Sequence, residues 1–300
     1  MINQSTKRQR IRKRTWIQLI AACLSNGYIA GFLGSKIYKG NTKFFCVPGL
    51  NCYSCPGAMG SCPIGALQAV LGDRKYNFSY YIFGILILIG SLLGRLVCGL
   101  LCPFGFVQDL LHKIPLRKLR IATRVDRALR WLKYGILLVF VIILPIFATN
   151  AFGVGSPYFC KWICPAGTLE GGFPLLLAHE SLRQSIGWLF NWKLLLLIAT
   201  VLSSIVIYRP FCKYLCPLGA FYSLFNKVSL YRMEVDQEKC THCLRCEKQC
   251  KMGVSITKDI NALECIRCGE CTSVCSQHAI TMGFKCALGH KPHQELYKSN

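Results

Sequence analysis

Eight cysteines near the end of the chain stand in two copies of one spacing. Cys240, Cys243, Cys246 and Cys250 follow Cys-x2-Cys-x2-Cys-x3-Cys, and Cys265, Cys268, Cys271 and Cys275 repeat it. The whole chain carries 20 cysteines in 300 residues. In a small secreted protein that number would read as a disulfide scaffold. Here the thiols recur at short fixed intervals beside Pro, Gly and apolar runs, which is the pattern of metal ligation. Three closely spaced cysteines wrap three corners of one iron–sulfur cubane, and the fourth of each run reaches the other cubane. The spacing therefore predicts one [4Fe–4S] cluster on Cys240, Cys243, Cys246 and Cys275, and a second on Cys265, Cys268, Cys271 and Cys250. Zinc is the alternative occupant of four thiolates.

This is the spacing of the bacterial two-cluster ferredoxins. It departs from their pattern in one respect: Lys251 and Ser276 stand where Pro usually follows the fourth cysteine. Pro does not bind iron, so ligation is untouched. The local turn, solvent access and reduction potential are what the change affects.

Upstream the chain is apolar. Hydrophobic residues make up 53% and charged residues 16%, leaving long stretches to place in lipid. Four segments read as membrane helices: about 16–34, 80–98, 133–148 with Pro145 inside, and 188–208. Most are near the short end of the roughly 17–25 residues that a span needs. Trp131, Trp188, Trp192, Tyr80 and Tyr208 sit at their ends, where aromatic belts belong. Gly27 with Gly31, and Gly90 with Gly94, read as small-xxx-small faces for close helix contact. Lys7, Arg8, Arg10, Arg12, Lys13 and Arg14 precede the first segment, and 103–133 is also basic, so both map to the cytoplasmic side. The 153–187 loop has only Lys161 and Arg183 and maps outside. Lys36, Lys39, Lys43, Arg74 and Lys75 in the other outer loop run against that assignment. Four spans return both termini to the cytoplasm. The formal charge of +23 flanks apolar spans, which argues against nucleic acid as a partner. A competing reading of the start is a cleaved lipoprotein signal at Ile20-Ala21-Ala22-Cys23.

Cys-Pro-x-Gly occurs four times, at Cys62, Cys102, Cys164 and Cys216. The second and fourth copies align further: Arg95, Cys98, Cys102, Pro103, Gly105, Leu110 and Lys113 against Arg209, Cys212, Cys216, Pro217, Gly219, Leu224 and Lys227. The chain thus reads as an internal two-fold repeat of helix, outer Cys-Pro loop, helix, inner Cys-Pro loop. Cysteines four apart share one helix face, and Pro after the second tends to end that helix. Cys98, Cys102, Cys212 and Cys216 then supply four thiolates on the inner face, the number that one [4Fe–4S] cluster requires. Arg95 and Arg209 either offset cluster charge there or snorkel to headgroups. The outer face offers six cysteines for four positions: Cys46, Cys52, Cys55, Cys62, Cys160 and Cys164. Cys52, Cys55 and Cys62 form its centre, with Cys160 and Cys164 completing it. Disulfides or a redox-active dithiol compete with a cluster on that side.

Other candidates carry less. Cys23 and Cys286 have no partner at ligand spacing and read as incidental small side chains. His112, His179, His242, His278, His290 and His293 all fall outside the predicted spans, against a b-type cytochrome. Asp109 and His112 follow the inner loop, where a solvated face is the bland reading and proton exchange with a quinol the sharp one.

With four Cys-Pro-x-Gly loops and a two-cluster tail, the chain resembles the NapH/NosR/YccM-type membrane polyferredoxins over roughly residues 46–280. The likeness rests on Gly94-Arg95-x2-Cys98-x3-Cys102-Pro103-x-Gly105, its counterpart at Cys212, and the Cys240–Cys275 run. It implies a four-span protein of the cell membrane with cytoplasmic termini that moves electrons. A quinol donor and an outer-face reductase are the partners it suggests, with flavin only through a partner. The large flavin-binding domain of NosR-type members is absent from this sequence.

The expected fold class is an α-helical membrane bundle of about four transmembrane helices with a two-fold repeat and a C-terminal α+β ferredoxin-like domain. Residues 1–15 form a basic N-terminus, 16–232 the membrane domain, 233–285 the two-cluster module and 286–300 a tail. The expected function is iron–sulfur electron relay between the module, one or two membrane clusters, and a quinone, flavin or outer-face partner. A quinol dehydrogenase subunit with its own quinone site, or a redox sensor, are the alternatives. One difficulty follows: a helix from Tyr80 to Cys98 rises about 27 Å, too far for one hop, so either the sites sink into the bundle or a further carrier intervenes.

Overall fold

The computed structural model of the chain describes residues 4–34, 36–73, 80–119, 121–149, 155–184 and 186–284. Cys286, His290 and His293 lie outside them. Helix dominates, with one two-stranded sheet near the C-terminus.

Among the described residues two helices are long and apolar enough to cross a membrane, Thr123–Phe147 and Trp188–Val206. Many of their apolar side chains face outward: Trp131, Leu138, Phe147, Leu195 and Leu202 are all exposed, while Ile136, Val141 and Leu197 turn to the interior. The first begins ten residues before the expected start at Lys133, because its leading turns are amphipathic and hold Asp126 and Lys133 against the interior. Over Leu137–Ile143 its turns widen to π geometry just before Pro145. A proline inside a helix lacks an N–H and crowds the preceding turn, and wider turns absorb that misfit.

The other two expected spans differ from the sequence reading. The helix from Tyr80 stops at Leu93, because Gly94 turns left-handed at φ 53°, a conformation glycine enters without steric cost. A separate short helix, Leu96–Leu100, carries Cys98. The N-terminal segment is a helix over Gln4–Ser25 that breaks and resumes at Ile29–Gly34. The expected glycine faces serve other contacts. A Cβ on Gly31 would stand 2.1 Å from the Pro56 carbonyl oxygen, and one on Gly90 2.8 Å from the Phe225 ring. Gly31 thus admits a loop, and Gly90 an aromatic side chain, where helix backbone was expected.

At Cys102, Cys164 and Cys216 the Cys-Pro junction is a break between two helices rather than a kink in one, and at Cys62 it joins a loop to a helix. Cys62, Cys102 and Cys216 occupy N-caps, and Pro63, Pro103 and Pro217 take the first helical position behind them. Proline suits that position, where its missing N–H would be unpaired anyway. The Cys102 and Cys216 sulfurs accept from Gly105 and Gly219 N–H, both at 3.4 Å. A sulfur at a helix N-terminus is favoured as thiolate by the dipole.

Strand β1, Tyr231–Val235, pairs antiparallel with β2, Ile280–Phe284, with Met233 opposite Met282. The cysteine runs lie between them, around the short helix Arg245–Gln249. This module packs on the helical part through buried polar contacts. Arg267 donates to Leu93 and Asn226 carbonyls at 2.9 and 2.6 Å. Asn226 Nδ2 donates to the carbonyls of Ala262 and Cys265.

Candidate functional site

The module holds two small cavities, of about 20 and 30 Å³. Cys240, Cys243, Cys246 and Cys275 line the first, and Cys250, Cys265, Cys268 and Cys271 the second. The backbone explains the enclosure. His242, Leu244, Arg267 and Gly269 all have positive φ, and they hold equivalent places, two and four residues after Cys240 and Cys265. Gly253 and His278, three residues after Cys250 and Cys275, are left-handed too. Right- and left-handed residues in alternation turn successive N–H groups to one side and form an anion-binding nest. Where Pro is replaced by Lys251 and Ser276, Gly253 and His278 N–H close the turn on the Cys250 and Cys275 carbonyls at 3.2 and 3.3 Å. Burial pushes the Cys265 thiol up to about 12, and Cys268 and Cys250 beside it add to the rise. The first set is the more open, with Cys243 exposed. The second faces the helical part, where Tyr208 also lines its cavity.

The structure brings Cys98, Cys102, Cys212 and Cys216 together in the buried core. Their surroundings are reciprocal. Arg95 Nη2 donates to the Cys212 carbonyl at 3.2 Å, and Arg209 Nη1 donates to the Cys98 carbonyl. Gly105 and Gly219 make room for these guanidinium groups, 3.3 and 3.4 Å from where a Cβ would stand. Both arginines are fully buried, so the headgroup-snorkelling reading is overturned. Gln108 Nε2 donates to Cys212 Sγ at 3.0 Å.

Of the six outer cysteines, four gather. Cys164 is surrounded by Cys160, Cys62 and Cys52. A Cβ on Gly65 would lie 3.7 Å from Cys160 Sγ, and one on Gly167 3.7 Å from Cys52 Sγ. Cys55 turns instead toward Cys52 and Glu170, and Cys46 pairs in a short bridge with Ser61. Gln68 is clamped at both ends: its Nε2 donates to Cys160 Sγ at 3.4 Å and its Oε1 accepts from Phe159 N–H at 2.9 Å. Glu170 accepts from Cys52 N–H at 2.7 Å. Burial lifts its carboxyl to about 7, against the lowering effect of that hydrogen bond. Sequence reasoning missed Gln68 and Gln108. Their signal was a shared offset, each six residues after a Cys-Pro cysteine.

Asp109 is not solvated. Arg209 Nε and Nη2 both donate to it at 2.6 Å, and Gln18 donates at 2.9 Å. Burial alone would raise its carboxyl, but Arg209 and Arg14 outweigh burial and hold it well below the usual carboxylate range. A carboxylate pinned between two guanidinium groups is a poor proton carrier. Arg14, read from sequence as an orientation charge, is largely buried and also contacts Glu270 of the module at 3.2 Å. His112 is half-buried, with Nδ1 3.3 Å from the Ser204 carbonyl. Cys23 is exposed.

The chain matches the family model described as a 4Fe-4S binding domain over residues 78–122, 135–173 and 190–233, which carry three of the four Cys-Pro-x-Gly copies. It is 30% identical to the uncharacterized protein MJ0749 of Methanocaldococcus jannaschii over 66% of this chain and 68% of that one. It is 27% identical to the ferredoxin-type protein NapH of Haemophilus influenzae over 64% of each chain. It is 25% identical to the methylamine utilization ferredoxin-type protein MauN of Paracoccus denitrificans, over 82% of this chain and 81% of the relative. The chain belongs to the NapH-type polyferredoxin family. It is therefore a ferredoxin-type electron transport protein that binds 4Fe-4S clusters. No solved structure matches it.

The donor sets fit such a cofactor. In the module the thiols surround a space, with backbone N–H groups turned by the left-handed residues around it.

Proposed function

We propose that this polyferredoxin is a membrane-embedded relay with four cluster sites in series. Cys240, Cys243, Cys246 and Cys275 hold the most exposed site, and Cys265, Cys268, Cys271 and Cys250 the next. Cys98, Cys102, Cys212 and Cys216 hold the third. Cys52, Cys62, Cys160 and Cys164 hold the fourth. Each of these thiol sets would hold a [4Fe–4S] cluster, which would supply one-electron exchange when bound. The chain's own residues bury the sites, exclude water and supply N–H donors to the sulfurs.

One observation carries this reading: the contact between the second and third sets. Gly99, next to Cys98, lies against Ile266, next to Cys265, so closely that a Cβ on Gly99 would stand 2.3 Å from the Ile266 carbonyl oxygen. Membrane residence is supported by the two long helices, many of whose apolar side chains face outward, since such contiguous apolar surface is rare on soluble monomers. Four spans, cytoplasmic termini and a quinone or outer-face partner belong to the same proposal.

Iron and acid-labile sulfide, measured anaerobically on purified protein, test it. Four sites give about sixteen iron atoms per chain, four per cluster. A count of about eight would leave only the module and sink the membrane sites.

A further inference from the structure

The loop between Cys46 and Cys62 was expected on the outer surface. Instead it turns inward. Val47 N–H donates to the Ser61 carbonyl and Ser61 N–H to the Phe45 carbonyl, both at 3.0 Å, pinning the ends of the loop together. Its middle then reaches the inner cysteines. A Cβ on Gly49 would stand 2.8 Å from Cys102 Cα and 3.0 Å from Pro103 Cδ. Only a residue without a side chain lets the loop lie on that backbone. Leu50 and Asn51, which follow, are both buried. Asn51 leads directly into Cys52, of the outer set. Tyr222 closes the other side, fully buried, with its hydroxyl donating to the Pro48 carbonyl at 3.1 Å.

Four consecutive residues, Gly49 to Cys52, therefore connect the two thiol sets. Three residue steps of about 3.8 Å put the Cys102 backbone and an outer cysteine within about 15 Å, far less than a membrane thickness of about 30 Å. We infer that Gly49, Leu50 and Asn51 form the electronic bridge between the inner and outer sites, held in place by Tyr222, so that no quinone or flavin is needed between them. One electron passes per event: the donor site is oxidised by one, the acceptor site is reduced by one, and no proton or bond moves. The inference rests on the proposed four-site relay and specifies its least obvious step.

EPR of the anaerobically reduced, full-length protein in detergent tests it. With about sixteen iron atoms bound, four per cluster, the signals of the two membrane sites are expected to broaden through mutual spin interaction. Cys62→Ser, which removes the outer site, should narrow the inner signal to the width that its neighbouring module site alone imposes. Gly49→Val should lift the loop off Cys102, keep the iron content and weaken the exchange part of the broadening, which runs through the connecting residues, while the dipolar part set by distance stays. Should Gly49→Val lose iron, the comparison of wild type with Cys62→Ser still decides. About eight iron atoms in the wild type would overturn the four-site relay and the bridge with it. About sixteen with membrane signals that do not interact would overturn the bridge alone.

Discussion

Position six after each Cys-Pro cysteine is occupied by Gln68, Gln108, Glu170 and Tyr222. Each of the four points its polar end at the cysteine framework. Gln68 and Gln108 donate to Cys160 and Cys212 sulfurs, Glu170 accepts from Cys52 N–H, and Tyr222 donates to Pro48. The geometry explains why the repeat was legible at Cys, Pro and Gly but not here. Sulfur, a helix start and a missing Cβ admit one residue type each, whereas a hydrogen-bonding partner can be met by several. Hydrogen bonds to cluster sulfurs are one lever on reduction potential. An N–H donor favours the more negative, reduced state, so Gln108→Leu should lower the midpoint of the inner site. If the bond differs by about 1 kcal/mol between oxidation states, the drop is about 40 mV for one electron. EPR-monitored titration reads this directly. An unchanged inner midpoint, with the outer one also unchanged, would remove Gln108 from the tuning role.

At the scale of elements, hydropathy marked the two long helices, because their apolar faces look outward and need no partner to be recognised. It did not register where the two segments that end among the cysteines stop. There the chain stops its helices at Gly94 and Ser25 to let loops and buried arginines in, and apolar periodicity does not register such an interruption. Nor could charge counting locate the partner of Arg95. Glu264 lies 169 residues away in sequence, accepts from Arg95 Nη1 at 2.8 Å and from Lys133 Nζ at 2.6 Å, and joins three elements at one carboxylate. Removing one partner from a buried ion pair strands the others without water or counter-charge, typically at a cost of about 3–5 kcal/mol. Glu264→Ala is thus expected to lower the unfolding free energy in detergent by about that much, and Glu264→Gln, which keeps an acceptor, by less. A loss under about 1 kcal/mol, the range of exposed pairs, would mean that this carboxylate does not hold the elements together.

The molecule as a whole is organised around close backbone approaches at glycine. Gly99 lets the Cys98 helix rest on Ile266, and the module is then fastened by Arg95 to Glu264, Arg267 to Leu93 and Asn226, and Arg14 to Glu270. The polar contacts cross from the helical part to a segment that composition alone would have left as a separate tethered domain. A tethered domain would separate once its linker is cut, whereas a docked one would stay. Lys227 is exposed just ahead of β1, which offers trypsin a cut between the two parts. After that cut the wild-type module is expected to remain with the helical part through size-exclusion chromatography. Gly99→Leu places a side chain where even a Cβ would stand 2.3 Å from the Ile266 carbonyl oxygen, so the nicked variant should release the module as a separate, iron-bearing fragment. Release from nicked wild type would show that the Gly99 approach and the polar contacts together do not dock the module. Retention in the variant would show that the Gly99 contact is dispensable, and the path from the module into the helical part would have to run elsewhere.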